Sequence, residues 1–322
     1  MPSEFDLIAR IRARAPRRAD VVLGIGDDAA VLRVPGGHEL VVTSDTLNAG
    51  VHFFDDVPPF DLGWKALAVN LSDLAAMGAA PAWCTLALSL PGADAAWLDA
   101  FIDGVLALAD LHRVALVGGD TTRGPLSITI TAHGLVEAGT ALRRDGARPG
   151  DAVWVTGVPG EAAAGLRVLA ARRAGVADAG EAADAADLIA RLQRPTPRVA
   201  AGRALRGVAS ACIDVSDGLL ADLGHIATAS GVAAEIELAA LPCASGLAAL
   251  PAGLRHDLQL SGGDDYELCF TAAAGADVAA ALREAGVAAT RIGCIARGEG
   301  VHVREQGQWR APPRRGFDHF RA

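Results

Sequence analysis

The sequence predicts a two-domain α/β protein, and three observations carry that expectation. At 322 residues the chain exceeds the size at which a single hydrophobic core usually stops growing, so two domains are the default. Short apolar runs alternate with amphipathic stretches along its length, as strands and helices in turn would require. A stretch combining Gly, Pro and charge, residues 144–151, interrupts that alternation and reads as a linker. The boundary is placed inside it, giving an N-terminal domain of residues 1–148 and a C-terminal domain of residues 149–322.

In chain order, residues 4–14 set Phe5, Leu7, Ile8 and Ile11 at helical spacing. Val21 to Leu23 reads as a strand running into Gly24-Ile25-Gly26-Asp27-Asp28. Two adjacent carboxylates repel, and each raises the other's pKa unless positive charge compensates. This stretch therefore reads as a divalent-metal site, or as a turn, which Gly and Asp also favour. Leu40 to Ser44 predicts a second strand ending at Asp45, where a carboxylate faces a cleft or caps the next element.

Asp61 is expected to cap a helix over 62–77, with Trp64, Leu67, Leu71, Leu74 and Ala75 on its apolar side. Asn70 and Asp73, three apart, share another face. A strand over 83–90 and a helix over 95–111 follow. Val114 to Val117 then forms a buried strand that runs into Gly118-Gly119-Asp120, a third apolar run ending in Asp. Residues 127–136 alternate Ile128, Ile130 and Ala132 with Thr129, Thr131 and His133, as a strand with one solvated or interface face does.

The second domain opens with a strand over 152–156. Residues 161–194, rich in Ala and Arg, are expected to be helical with a break near 175–180. Ala211 to Ile213 leads into Asp214-Val215-Ser216-Asp217-Gly218, which caps a helix that runs to Ser230 and stops at Gly231. Ser261-Gly262-Gly263-Asp264-Asp265 precedes an alternating strand over 266–271, and the chain closes on Gly316-Phe317-Asp318-His319-Phe320.

Composition excludes several classes of function. Net charge is −9, and no basic run interleaves with aromatics, which argues against a nucleic-acid surface. The single lysine, Lys65, stands in no GxxxxGK[ST] pattern, so a phosphate-loop NTPase is excluded. Five cysteines without a CxxC pair fit neither a disulfide framework nor a zinc ribbon. No apolar stretch is long enough to span a membrane and no secretory leader is evident, so a soluble, cytoplasmic protein is expected.

Six segments (27–28, 45, 73, 120, 214–217 and 264–265) set Asp beside Gly, Ser or Thr at the edge of an apolar element. Hard oxygen ligands without Cys or His suit magnesium, which is usually shared between protein carboxylates and substrate phosphates. The pattern points to a multi-magnesium nucleotide site. With no phosphate-loop lysine, metal ions carry most of the charge neutralisation that phosphoryl transfer needs, helped by the amides of Gly118 and Gly119 and by Arg123 or Arg144. No GxSxG or HExxH motif marks a covalent nucleophile, and His52 stands alone.

Eight segments in order, GIGDDAAV, SDTLNAGVHF, GWKALAVNLSDLAAMGA, GGDTTRGP, RRDGARPGD, IDVSDGLLADLGHIA, SGGDDYEL and GFDHF, resemble the thiamine-monophosphate kinase family over nearly the whole chain. The resemblance implies an aminoimidazole ribonucleotide synthetase-like fold. Its N-terminal mixed sheet with helices builds a barrel in a homodimer, and its C-terminal α/β domain completes the active site. It implies transfer of the γ-phosphoryl group of ATP to thiamine monophosphate, giving thiamine diphosphate. By the same resemblance, magnesium falls on Asp28, Thr43, Ser44, Asp45, Asp73, Asp120, Asp214 and Asp217. ATP falls on Gly119, Asp120, Arg144 and Ser216, and the thiamine phosphate on His52, Asp264 and Phe317. Asp27 is left to orient a ligand or a metal-bound water. The family usually carries Glu at the position of Asp264, so the carboxylate's reach is shorter here.

Two other readings stand beside it. One is an enzyme of the same superfamily with a different acceptor. Selenophosphate synthetases carry a reactive Cys near the N-terminus and hydrogenase maturation factors one at the extreme C-terminus, whereas Cys84 is the first cysteine here and the sequence ends in Phe320-Arg321-Ala322. The other is a catalytically silent nucleotide- or thiamine-binding protein, which has no need of the full set of aspartates.

Overall fold

A computed structural model of the chain describes residues 3–16, 18–176 and 184–310. The chain divides into two compact units, Met1–Leu74 with Ala79–Gly139, and Ala75–Gly78 with Thr140–Ala322. The passage at Gly139–Thr140 lies somewhat ahead of the expected 148/149 boundary.

The first unit begins with α1 (Glu4–Arg14), closed by a capping box in which Ser3 and Asp6 satisfy each other's backbone N–H groups. Strands β1 (Val21–Leu23) and β2 (Val31–Leu32) pair antiparallel around the Gly-Asp-Asp stretch. Then come β3 (His38–Asn48), α2 (Pro59–Ala76), β4 (Ala80–Leu90), α3 (Ala95–His112), β5 (Ala115–Arg123) and β6 (Ser127–Glu137). The four long strands form one mixed sheet in the order β3-β6-β4-β5, with β4 and β5 parallel and the other pairs antiparallel.

Three expected boundaries move, each for a physical reason. β3 does not end at Asp45. It pairs with β6 in unbroken register from His38 opposite Glu137 to Asn48 opposite Ser127, so Asp45 lies inside the ladder opposite Ile130. β5 likewise continues through Gly118, Gly119 and Asp120 to Arg123, held by β4. Helix α2 starts at Pro59 rather than after Asp61, since proline fits the first helical position, where its missing N–H is no loss. Asp61 is then a first-turn acid.

On β6 the expected alternation is present. Ile128, Ile130, Ala132 and Val136 are buried, while Thr129, Thr131 and His133 are only partly covered. Helices α2 and α3 meet backbone to backbone. A Cβ on Gly63 would lie 2.0 Å from the Phe101 carbonyl oxygen, and one on Gly104 would lie 1.9 Å from that of Phe60, so only glycine fits either position. This contact seats α2, the helix that carries Asp73.

The second unit holds β7 (Ala152–Thr156), α4 (Glu161–Arg173), α5 (Ala185–Gln193), α6 (Val199–Ala204), β8 (Ala209–Val215), α7 (Leu219–Ser230) and β9 (Ala233–Glu237). It continues with α8 (Ser245–Ala248), α9 (Ala252–Ser261), β10 (Glu267–Ala272), α10 (Val278–Arg283), β11 (Ala289–Ala296), β12 (Gly300–Glu305) and β13 (Gln308–Arg310). Seven strands form one sheet in the order β13-β12-β9-β11-β7-β10-β8, in which only the β12–β9 pair is parallel. Its core joins Val153, Val155, Ile213 and Val215 from the strands to Leu219, Leu223 and Ile226 of α7. As expected, α7 stops at Gly231, whose φ of 65° is the left-handed cap that glycine favours.

Candidate active site

In the first unit the alternation of β3 sorts its side chains. Thr43 and Asp45 lie on the partly buried face, while Val42, Ser44 and Thr46 are exposed on the other. The Thr43 hydroxyl donates to Asp73 Oδ2 on α2, in a short hydrogen bond. Asp45 also hydrogen-bonds to Asp73, and its pKa is pushed up to about 7, first by burial and then by the Asp73 charge. Thr43, Asp45 and Asp73 thus form one acidic cluster. Ser44 is not part of it, because its Oγ pairs with Thr131 Oγ1 at 2.9 Å on the opposite face.

Other residues singled out in this unit are placed separately. Asp27 and Asp28 are exposed, and Asp28 N–H donates to Asp27 Oδ1 at 2.9 Å, a turn closed by its own side chain. Gly26, with φ 121°, takes backbone that other residues rarely adopt, and the Arg12 guanidinium lies against it. Asp120 is exposed on β5, its Oδ1 accepting the Thr121 N–H at 2.9 Å. Gly119 (φ 148°) crosses so close to β4 that a Cβ would lie 1.8 Å from the Leu86 carbonyl oxygen. His52 Nδ1 accepts the Asn48 N–H at 3.0 Å, which leaves Nε2 as the protonated nitrogen of the neutral ring.

In the second unit Asp214 is buried at the end of β8, and Ser216 and Asp217 follow, half-buried. Gly218 precedes α7 without a side-chain cap. The cap comes instead from within the helix, because Asp222 Oδ2 accepts the backbone N–H groups of Ser216, Asp217 and Gly218 at 3.0, 3.1 and 3.1 Å. Burial, and then the Asp217 charge, push the Asp222 carboxyl up to about 7, against the lowering effect of those three donors.

The Gly-Gly-Asp-Asp stretch packs against this loop. Asp264 N–H donates to the Ser216 carbonyl and Tyr266 N–H to that of Val215, both at 2.8 Å. Asp264 (φ 68°) and Tyr266 (φ 51°) both take left-handed backbone, which a short Asp side chain tolerates better than most. Tyr266 Oη donates to Asp264 Oδ1 at 3.0 Å. Between them Asp265 caps α4, accepting from Gly160 N–H at 2.6 Å and Ala162 N–H at 3.2 Å. Burial holds its carboxyl well above the usual range. Arg144 is exposed on the segment beside β8, where Arg143 C=O accepts the Cys212 N–H. Phe317 lies outside the described residues.

Asp222, Tyr266 and the Glu267–Arg198 ion pair behind them were not singled out by the sequence. Asp222 reads there as an ordinary first-turn acid, and nothing local signals that its carboxylate turns back on the preceding loop. Cys84, Cys212 and Cys269 are buried, and burial raises each thiol's pKa, Cys84 to about 12, so none of the three is an activated nucleophile. Among the described residues no three His, Cys, Asp or Glu side chains gather into a metal cage. Magnesium does not need one, because it keeps several waters and takes one or two carboxylates. The Thr43, Asp45 and Asp73 donor set, all oxygen and carrying two facing carboxylates, fits such an ion.

The description "AIR synthase related protein, N-terminal domain" matches residues 26–136, and its C-terminal counterpart matches residues 148–305. A thiamine-monophosphate kinase of Salmonella typhimurium is 50% identical over 98% of both chains. The chain belongs to the thiamine-monophosphate kinase family. Among solved structures of that family, the thiamine-monophosphate kinase of Stenotrophomonas maltophilia K279a is 56% identical, with a TM-score of 0.86 over 94% of this chain and 96% of that one. A structure described as "AaThiL complexed with AMPPCP and TMP" is 32% identical, with a TM-score of 0.76 over 98% of this chain and 97% of that one. The aminoimidazole ribonucleotide synthetase-like α/β fold expected from the sequence is thereby established.

Proposed function

We propose that this protein transfers the γ-phosphoryl group of ATP directly to the phosphate of thiamine monophosphate, giving thiamine diphosphate. The observation that carries the reading is the Asp45–Asp73 pair with Thr43 beside it. Two carboxylates held in contact call for a cation, in a chain that shares half its residues with a kinase of this substrate.

Magnesium, when bound, would supply neutralisation of the phosphate oxygens and polarisation of the transferred group. Asp45 and Asp73 would hold it; the other residues assigned to magnesium are Asp28, Thr43 and Asp120 in the first unit and Asp214 and Asp217 in the second. Ser44 is also assigned to magnesium, but its hydroxyl is engaged with Thr131 on the other face of the sheet. ATP is assigned to Gly119, Asp120, Arg144 and Ser216. The thiamine phosphate is assigned to His52, whose Nε2–H suits a phosphate oxygen, and to Asp264 and Phe317. Transfer is in line, without a covalent enzyme intermediate, so these residues act by position and charge.

The reading includes a homodimer. β3 is an edge strand, and Leu40 (45% exposed) and Val42 (53% exposed) stand on its outer face. A long edge with uncovered apolar side chains is what a second copy would cover. Among the described residues no helix is long and apolar enough to cross a membrane, and the use of ATP accords with the cytoplasm.

The deciding experiment incubates purified protein with ATP, thiamine monophosphate and excess magnesium. Thiamine diphosphate is expected well above a no-enzyme control, and its absence would sink the kinase reading.

A further inference from the structure

The loop from Val215 to Gly218 has its backbone engaged from both sides. Its carbonyls at Val215 and Ser216 accept the N–H groups of Tyr266 and Asp264. Its three consecutive N–H groups, from Ser216, Asp217 and Gly218, converge on one oxygen of Asp222, which is only 3% exposed. Gly218 (φ 120°) has no room for a side chain, because a Cβ there would lie 2.9 Å from the Ser261 carbonyl carbon and oxygen.

Successive N–H groups at the start of a helix make a ready anion cradle, the device by which glycine-rich loops hold nucleotide phosphates. Here that cradle is filled by the protein's own carboxylate. We infer that Asp222 is a positioning residue for nucleotide binding: by occupying the amides of the 216–218 loop, it fixes the loop so that it offers side chains, the Ser216 hydroxyl and the Asp214 and Asp217 carboxylates, in place of a backbone phosphate cradle. At this loop phosphate would then be met by the Ser216 hydroxyl and by cations held on those carboxylates, not by the backbone amides. The inference rests on the proposed ATP-dependent reading and adds a residue to which that reading assigned no role. Asp222 touches no substrate in this scheme and acts through the loop.

The test compares Asp222→Ala, Asp222→Asn and Asp222→Glu with wild type. Three quantities are read: the KM for ATP, the KM for thiamine monophosphate, and the calorimetric dissociation constant of AMPPCP with magnesium. Thermal melting monitors the fold. Loss of an outer partner of this kind typically weakens a metal-dependent site by about 10- to 100-fold. Asp222→Ala is therefore expected to raise the KM for ATP and the AMPPCP dissociation constant at least about tenfold, with the KM for thiamine monophosphate changed far less. Asp222→Asn, whose amide oxygen still accepts N–H groups, is expected to recover most of that loss. Asp222→Glu keeps the charge but displaces the loop, and is expected to raise the KM for ATP selectively.

If the alanine variant does not fold, the glutamate variant decides. Wild-type nucleotide affinity in a folded Asp222→Ala or Asp222→Glu protein, or an equal rise in both KM values, overturns the inference. AMPPCP binding needs no turnover of the thiamine phosphate, so a wild-type protein that binds AMPPCP but makes no thiamine diphosphate refutes the kinase reading alone. A wild-type protein that binds no AMPPCP refutes both.

Discussion

Asp45 on β3 and Asp73 on α2 hydrogen-bond to each other while the Thr43 hydroxyl donates to Asp73. Two carboxyl groups in that relation stay together only if a proton or a cation lies between them. The arrangement works against stability, and the magnesium ion of the proposed reaction would resolve it. Asp45→Asn removes the repulsion, so the variant is expected to melt at or above the wild-type temperature without magnesium. Magnesium is expected to raise the melting temperature of wild type but not of the variant, and turnover should fall by at least about 10- to 100-fold. Melting curves with and without magnesium, read beside initial rates, check this. Wild-type turnover in the variant would remove Asp45 from the metal site.

Tyr266 Oη donates a hydrogen bond to the Asp264 carboxylate, and both residues take left-handed backbone. Tyr266→Phe keeps the ring and loses that bond. The Asp264 carboxylate is then held less firmly, and the KM for thiamine monophosphate should rise about three- to tenfold, corresponding to a hydrogen bond of about 1 kcal/mol. kcat and the KM for ATP should hardly change. A variant whose acceptor KM is unaltered would show that Asp264 is not held for that substrate.

Much of this was legible in the sequence where the signals are local. The first helix and the stop of α7 at Gly231 follow from periodicity and a cap. The same local view misjudged Asp45 and Asp120 as strand ends, because a carboxylate after an apolar run looks like an edge. What carries both strands onward is pairing with β6 and β4, far away in sequence. Strand period alone would have separated Ser44 from Thr43 and Asp45. The order of the seven-stranded sheet, and the return of Asp222 onto its own loop, depend on tertiary placement that no short pattern contains.

Behind the Asp264 stretch, Glu267 forms a buried ion pair with Arg198 and accepts from Thr156 Oγ1, which in turn accepts the Leu268 N–H at 2.8 Å. Arg198→Met leaves a buried carboxylate without its partner and is expected to destabilise the protein by about 3 kcal/mol. The double variant Arg198→Met with Glu267→Met removes both charges and should recover part of that loss. Urea unfolding of the single and double variants measures it. A double variant less stable than the single would show that the pair contributes more than charge balance.

The outer face of β3 offers a direct check on the dimer. Val42→Glu places a charge among exposed apolar side chains while leaving the inward Thr43 and Asp45 in place. Sedimentation should show wild type as a dimer and the variant shifted toward monomer at micromolar concentration. A monomeric wild type would remove the second copy from the proposal.

His112 ends α3, where the helix dipole favours a cation, yet burial lowers its pKa below the ordinary value of 6.5. His133 on β6 is shifted the same way, also by burial. A histidine in an unfolded chain protonates near pH 6.5, and these two in the folded protein do so only at lower pH. Their contribution to stability is therefore complete above about pH 6.5 and is lost as pH falls through the window down to the folded pKa values. Asp45 and Asp222, whose carboxyls are raised to about 7, gain stability over the same fall in pH, so the histidine effect is read as a difference: below about pH 6.5 the urea midpoint of His112→Gln, which cannot take up the proton, should rise relative to that of wild type. An equal slope in the variant would mean that the dipole offsets burial at this site and that the pH dependence arises elsewhere.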